Sequence, residues 1–265
     1  MSGVLYRREM KNSGKLLVIF AAILTLYISM IIPMFDPEMA GLLRQFEQAM
    51  PEVMAAVGMT GSGSTLLGFM TSYLYGMLLL VFPMVFGILR ANGLVAKYVD
   101  RGSMAFLVTA GVPRRKVAAT QAAVLVSGIV LLLAYCTALE LGVAQASFPG
   151  ELAWGELLRV NLGLLGLQLC LGGFCFLCSC CFQETRYSLA VGAGIPVLMY
   201  VMQMVANMGD KGEVLKYASV FTLFRPEELA SGEGQAIAGT VVLYGLALVF
   251  FAAAVRVFVR KDLPV

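Results

Sequence analysis

Apolar residues in this chain run together instead of alternating. Six stretches, residues 16–34, 66–89, 117–139, 160–182, 189–208 and 236–259, are each 19 to 24 residues long, and the only charged side chain in them is Arg256, close enough to the end of the last to snorkel. At ~1.5 Å per helical residue each stretch crosses a hydrocarbon core of ~30 Å. An open sheet leaves its edge backbone groups without partners in lipid, so runs of this length are expected to be helices. The pattern therefore predicts an all-α polytopic membrane protein with six transmembrane helices. The first run follows a basic leader but exceeds a signal-peptide core, and Met34-Phe35-Asp36-Pro37 offers no small-residue cleavage pattern, so it is expected to stay attached.

Composition points the same way. Of 265 residues, 60% are hydrophobic and 13% charged, and the mean hydropathy is +0.85. Those values exclude a soluble domain, a disordered chain and a disulfide scaffold. The chain has no histidine, which removes imidazole as a base, proton relay or metal ligand, and with it His-ligated haem, HExxH zinc sites and Ser-His proteolysis. No catalytic residue and no metal site is expected.

Lysine and arginine divide unevenly among the connecting segments. Residues 1–15, 90–116, 183–188 and the end from Arg256 hold fourteen; residues 35–65, 140–159 and 209–235 hold five. The positive-inside rule then places both termini in the cytoplasm, with the plasma membrane as the expected location. The net charge of +3 lies almost wholly in the inner segments and reports topology, so no nucleic-acid partner is expected.

The connecting segments carry their own signals. Residues 36–57 open with Asp36-Pro37 and place Met39, Leu42, Leu43, Phe46 and Met50 at helical spacing, the pattern of an external amphipathic helix, with Pro51 restarting it and Gly58 ending it. Residues 58–65 read as a flexible connector, since no Gly-Lys-Ser/Thr follows to make a phosphate loop. At the N-terminus Val4, Leu5, Tyr6 and Met10 alternate with Arg7, Arg8, Lys11 and Lys15. That basic amphipathic helix either lies along the inner membrane surface before turning into the first span or is a frayed leader that fixes topology.

The longest and most basic inner segment is 90–116. Within it Ser103 can cap a short helix bearing Met104, Phe106, Leu107 and Val108, closed by Gly111 and Pro113. An apolar helix on the water side needs a partner, either the membrane and the bases of the spans or a groove on another protein. The segment Tyr98-Val99-Asp100-Arg101-Gly102-Ser103 through Phe106-Leu107 to Pro113-Arg114-Arg115-Lys116 resembles the intracellular loop of type-two ABC exporter permeases. The matching positions are Asp100, Gly102, Ser103, Phe106, Leu107, Pro113 and Arg115; Arg114 stands where the family has Ser, and Phe106 or its neighbours where it has a second acidic residue. Residues 216–226, Lys-Tyr-Ala-Ser-Val-Phe-Thr-Leu-Phe-Arg-Pro, are similar to an external stretch of the same family between spans five and six, with Val220 in place of its first Pro.

The resemblance implies a single ABC-exporter-type transmembrane domain over 1–265, working by alternating access beside a second permease copy or paralogue. It implies a coupling helix between spans two and three that docks on an ABC ATPase subunit dimer. ATP and Mg would bind on that partner, and this chain would carry no cofactor. Two features of the residues agree: no phosphate loop occurs, and the six apolar runs contain no Asp, Glu or His to act as a proton relay. Transport is expected of such a chain. A scaffold or sensor on the same fold, or an intramembrane lipid-modifying enzyme, remains the alternative.

Polar groups inside the runs give a candidate cargo path, Gln121, Gln168, Gln203 and Asn207, although hydrogen bonding between helices explains them as well. Pro83, Pro196, Gly172-Gly173 and Gly192-x-Gly194 are places where helices bend or approach closely. Five of the six cysteines fall between Cys170 and Cys181; they read as small apolar filler, with a redox or metal pair of Cys178 and Cys181 as the sharper alternative.

Overall fold

The computed structural model describes residues 2–36, 49–56, 65–100, 102, 113–208 and 219–261. Within them are six helical segments long and apolar enough to cross a membrane, Gly3–Met34, Leu66–Asp100, Arg114–Ser147, Trp154–Cys181, Thr185–Asn207 and Gly234–Arg260, called spans one to six below. Each coincides with one of the apolar runs, the helices of spans four and five stopping one residue short of the end of theirs. The described residues form helices and turns with no strand.

The spans outrun the apolar stretches that announce them. Span three is a single helix of 34 residues, ~50 Å long at ~1.5 Å per residue. Residues 140–147, read above as external connection, therefore belong to a helix. Span two likewise carries Arg90 within its helix Leu79–Leu94 and continues as a short helix Ala96–Asp100.

The basic leader also differs from expectation. It neither frays nor turns: one helix runs unbroken over Gly3–Ile31. Leu5, Glu9 and Ser13, spaced four apart on one face, are buried, so this end of span one is docked on its neighbours. Ser2 N–H donates to Thr120 Oγ1 at 3.0 Å, Tyr6 Oη donates to Ser127 Oγ at 2.9 Å, and Thr25 and Tyr135 hydroxyls meet at 2.7 Å. All three tie span one to span three.

Span four is the most enclosed of the six, and its most extensive contact is with span six. Glycine makes this approach possible. A Cβ added at Gly172 would lie 2.7 Å from Ile129 Cδ1 of span three, and one at Gly173 would lie 3.3 Å from the Ala247 carbonyl oxygen of span six.

Span four also completes the hydrogen bonding of two neighbours that carry a proline within the helix. Pro83 and Pro196 do not break their helices, which run through them. Each removes the backbone donor for the carbonyl four residues earlier, that of Leu79 and of Gly192. Gln168 Nε2 donates to the carbonyls of Leu79 at 3.3 Å and Leu80 at 2.9 Å, and Cys175 Sγ donates to Gly192 O at 3.0 Å. Immediately before the Pro83 helix, Leu74–Leu78 form a π-helical turn, a widening common at functional sites.

The ends of spans four and six are joined through a lysine counted above only for topology. Lys261 Nζ donates to the carbonyls of Cys180 at 3.0 Å and Phe182 at 2.6 Å, placing a cation where the helix ending at Cys181 leaves unpaired carbonyls. Burial there lowers the Lys261 ammonium below its ordinary value. Arg114, at the start of span three, donates to Lys261 O at 2.8 Å.

Candidate functional site

Two regions of the bundle carry the positions singled out in the sequence. One is the basic end, where the chain enters and leaves residues 103–112; the other is a cavity at the opposite end.

At the basic end the short helix Ala96–Asp100 finishes with Asp100 exposed. Gly102 follows at φ +68°, with its N–H donating to Val99 O at 3.0 Å, so the turn out of span two uses a left-handed residue that glycine adopts without penalty. Pro113 and Arg115 are exposed. The Pro113 carbonyl accepts from the N–H groups of Lys116 at 2.8 Å and Val117 at 3.2 Å, which starts span three. Ser103, Phe106 and Leu107, with the expected coupling helix, lie outside the described residues, as do 37–48 of the expected external helix, 58–64 of the connector, and 209–218.

Directly behind this exit is a buried cluster that sequence reasoning missed. Glu9 of span one, 2% exposed, accepts a hydrogen bond from Tyr98 Oη at 2.7 Å and faces Arg90 NH2 at 3.8 Å. Tyr98 sits two residues before Asp100. The signal was present: Glu9 is the one acid in a basic leader, in register with Leu5 and Ser13.

The opposite end holds a cavity of about 480 Å³. Spans two and five supply Tyr75, Tyr200, Gln203 and Asn207 to its wall, and the segment before span six supplies Glu227 and Glu228 among others. Gln203 Nε2 donates to Asn207 Oδ1 at 3.1 Å, and Thr222 Oγ1 donates to Gln203 Oε1 at 2.7 Å. Local sequence builds this wall. Ser219 Oγ accepts from Phe221 N–H at 3.2 Å and so starts the 3₁₀ turn Val220–Leu223, and Pro226 occupies the first turn of the helix Pro226–Ser231. Arg159 of span four donates to Leu229 O at 3.2 Å and Ala230 O at 2.6 Å, holding that helix against the bundle.

The four polar positions of the candidate path therefore separate. Gln203 and Asn207 share the cavity wall. Gln168 is spent on the Leu79 and Leu80 carbonyls. Gln121 is buried in span three with neither its amide nitrogen nor its oxygen hydrogen-bonded.

Sequence reading also missed an acid inside the bundle. Glu140 of span three is 0% exposed. Its Oε2 accepts from Tyr75 Oη at 2.8 Å and from Asn161 Nδ2 at 3.0 Å, and Asn161 Nδ2 also reaches Tyr75 Oη at 2.6 Å. Glu140 falls one residue beyond the apolar run 117–139, so the boundary drawn at Leu139 placed it outside. The spans are therefore not free of acids, as the apolar runs suggested: span one buries Glu9 and span three buries Glu140.

The family model for ABC-2 family transporter proteins matches residues 4–263. The chain belongs to that family. No curated protein matches it. Membership agrees with the six spans, and it makes this ABC-2 chain the membrane component of a transporter, an integral permease subunit and not an enzyme in itself. Within the ABC-2 match fall both the exit at Gly102 and Pro113 and the cavity wall from Tyr75 to Glu228.

Proposed function

We infer that this ABC-2 permease subunit is the passive half of an exporter whose energy comes from a separate dimer of ABC ATPase subunits. ATP and magnesium bind on those subunits, and this chain, one transmembrane domain over its full length, binds no cofactor. It pairs with a second permease, a copy or a paralogue, in the plasma membrane, with both termini and the basic end in the cytoplasm.

The family match along nearly the whole chain carries this reading. The basic end supports it further, because Gly102 and Pro113, the described residues on either side of 103–112, are both held there by backbone hydrogen bonds. Closure of the ATPase on ATP moves the coupling helix through Phe106 and Leu107, and Asp100, Ser103 and Arg115 flank the contact. Span two then passes the movement to span one through Tyr98 and Glu9. At the opposite end the cavity between spans two and five opens to release cargo past Gln203 and Asn207.

Purification of the complex from membranes tests the reading. An ABC ATPase subunit is expected to co-purify in equal amount with this chain, and to hydrolyse ATP in the complex. A chain that purifies with no ATPase overturns the reading, whereas a complex whose hydrolysis ignores every candidate cargo favours the scaffold alternative.

A further inference from the structure

The carboxyl of Glu140 has no place in the account above. It is fully buried, and none of the ion pairs among the described residues involves it. Two groups that titrate lie against it: Tyr75 from span two and, on its own helix, Cys136 one turn earlier. Span four contributes the neutral Asn161 amide. Among the described residues no lysine or arginine balances the charge that an ionised carboxylate would place there, and an unpaired buried charge is strongly unfavourable.

Hydrogen bonding sharpens the point. Glu140 Oε2 already accepts from Tyr75 and Asn161, while Glu140 Oε1 and Asn161 Oδ1 are buried with no partner. Two acceptor oxygens in one cluster are open, and apart from the Cys136 thiol, a weak donor, no hydrogen in the cluster is left to meet them. A calcium or magnesium ion would need about six oxygen ligands, which the cluster does not offer, and no group of three metal-ligating side chains occurs among the described residues. A single proton on the carboxyl neutralises the charge and turns Glu140 from acceptor into donor.

Tyr75 gives this proton a route. Itself fully buried, it is the member of the cluster that borders the 480 Å³ cavity, and it lies in the π-helical turn Leu74–Leu78. We propose that Glu140 is a proton-binding site of this permease, holding one proton at neutral pH and exchanging it with cavity water past the Tyr75 hydroxyl. In the exchange the O–H bond of the carboxyl breaks, its electron pair stays on Glu140, and water in the cavity takes the proton. The inference concerns this chain alone and stands apart from its pairing with an ATPase.

Infrared spectroscopy of the full chain in an ester-free detergent tests it. Wild-type protein at neutral pH shows the carbonyl band of a protonated carboxyl, and Glu140→Gln lacks that band. Transfer to D₂O shifts the wild-type band quickly; in Tyr75→Phe the same shift is at least tenfold slower. Raising the pH of the wild type removes the band reversibly, which reports access without relying on a variant. Absence of the band at neutral pH, its persistence in Glu140→Gln, or its indifference to the pH of the medium each overturns the proposal. An equal exchange rate in folded Tyr75→Phe overturns the route.

Discussion

Gln168 of span four donates its side-chain amide to the carbonyl of Leu79, the group that Pro83 deprives of its own backbone donor. The bond explains a buried glutamine and a tolerated mid-helix proline together, and it is testable as a pair. Gln168→Leu is expected to destabilise the folded chain by about 1 to 2 kcal/mol, the range for losing a hydrogen bond between membrane helices. In a Pro83→Ala background, where residue 83 regains its N–H, the same change should matter less. A double-mutant cycle read by unfolding in detergent checks this, and strict additivity of the two changes would show that the bond does not answer the proline.

The glycines of span six divide sharply. A Cβ at Gly239 would lie 2.7 Å from the backbone oxygen of Leu223, whereas one at Gly245 meets nothing within 4 Å. Gly239→Ala should therefore lower stability by roughly 1 to 3 kcal/mol through forced displacement of the 3₁₀ turn Val220–Leu223. Gly245→Ala should leave stability unchanged or raise it by up to about 1 kcal/mol, since alanine is the better helix former. Melting temperatures of the two purified variants, measured side by side, settle the order.

Of the six cysteines only Cys181 is exposed. A maleimide should label native protein once per chain, and Cys181→Ser should abolish labelling. Because Cys181 closes span four at the basic end, a membrane-impermeant maleimide also reports orientation. It is expected to react in inverted vesicles and not in intact cells. Labelling from outside intact cells would reverse the topology drawn from the lysine and arginine count.

How much of this was legible beforehand follows from which forces act locally. A bilayer imposes length and apolarity on any span, so the six spans were readable from the runs alone. Their ends were not. Glu140 and Arg90 extend their helices past the apolar edge because partners from other spans, Tyr75 with Asn161 and Glu9, receive them there, and such partners are invisible to a window sliding along one segment. The same holds for the prolines, whose places were readable but not the side chains of Gln168 and Cys175 that take up the carbonyls they leave without a donor. The cysteine cluster read as filler fits its four buried thiols, Cys170, Cys175, Cys178 and Cys180, but not the exposed Cys181, and Cys175 adds a hydrogen bond that composition does not disclose. Half of the candidate cargo path, Gln203 and Asn207, came together at the cavity because both lie one turn apart near the end of span five.

In the proposed transporter an ATPase acts through residues 103–112, and ATP hydrolysis by the purified permease–ATPase complex tests this most directly. With Phe106→Asp and Leu107→Asp introduced together, hydrolysis or assembly should fall at least tenfold while the chain still reaches the membrane and labels at Cys181. Hydrolysis and assembly both equal to wild type would contradict the assignment of the coupling helix.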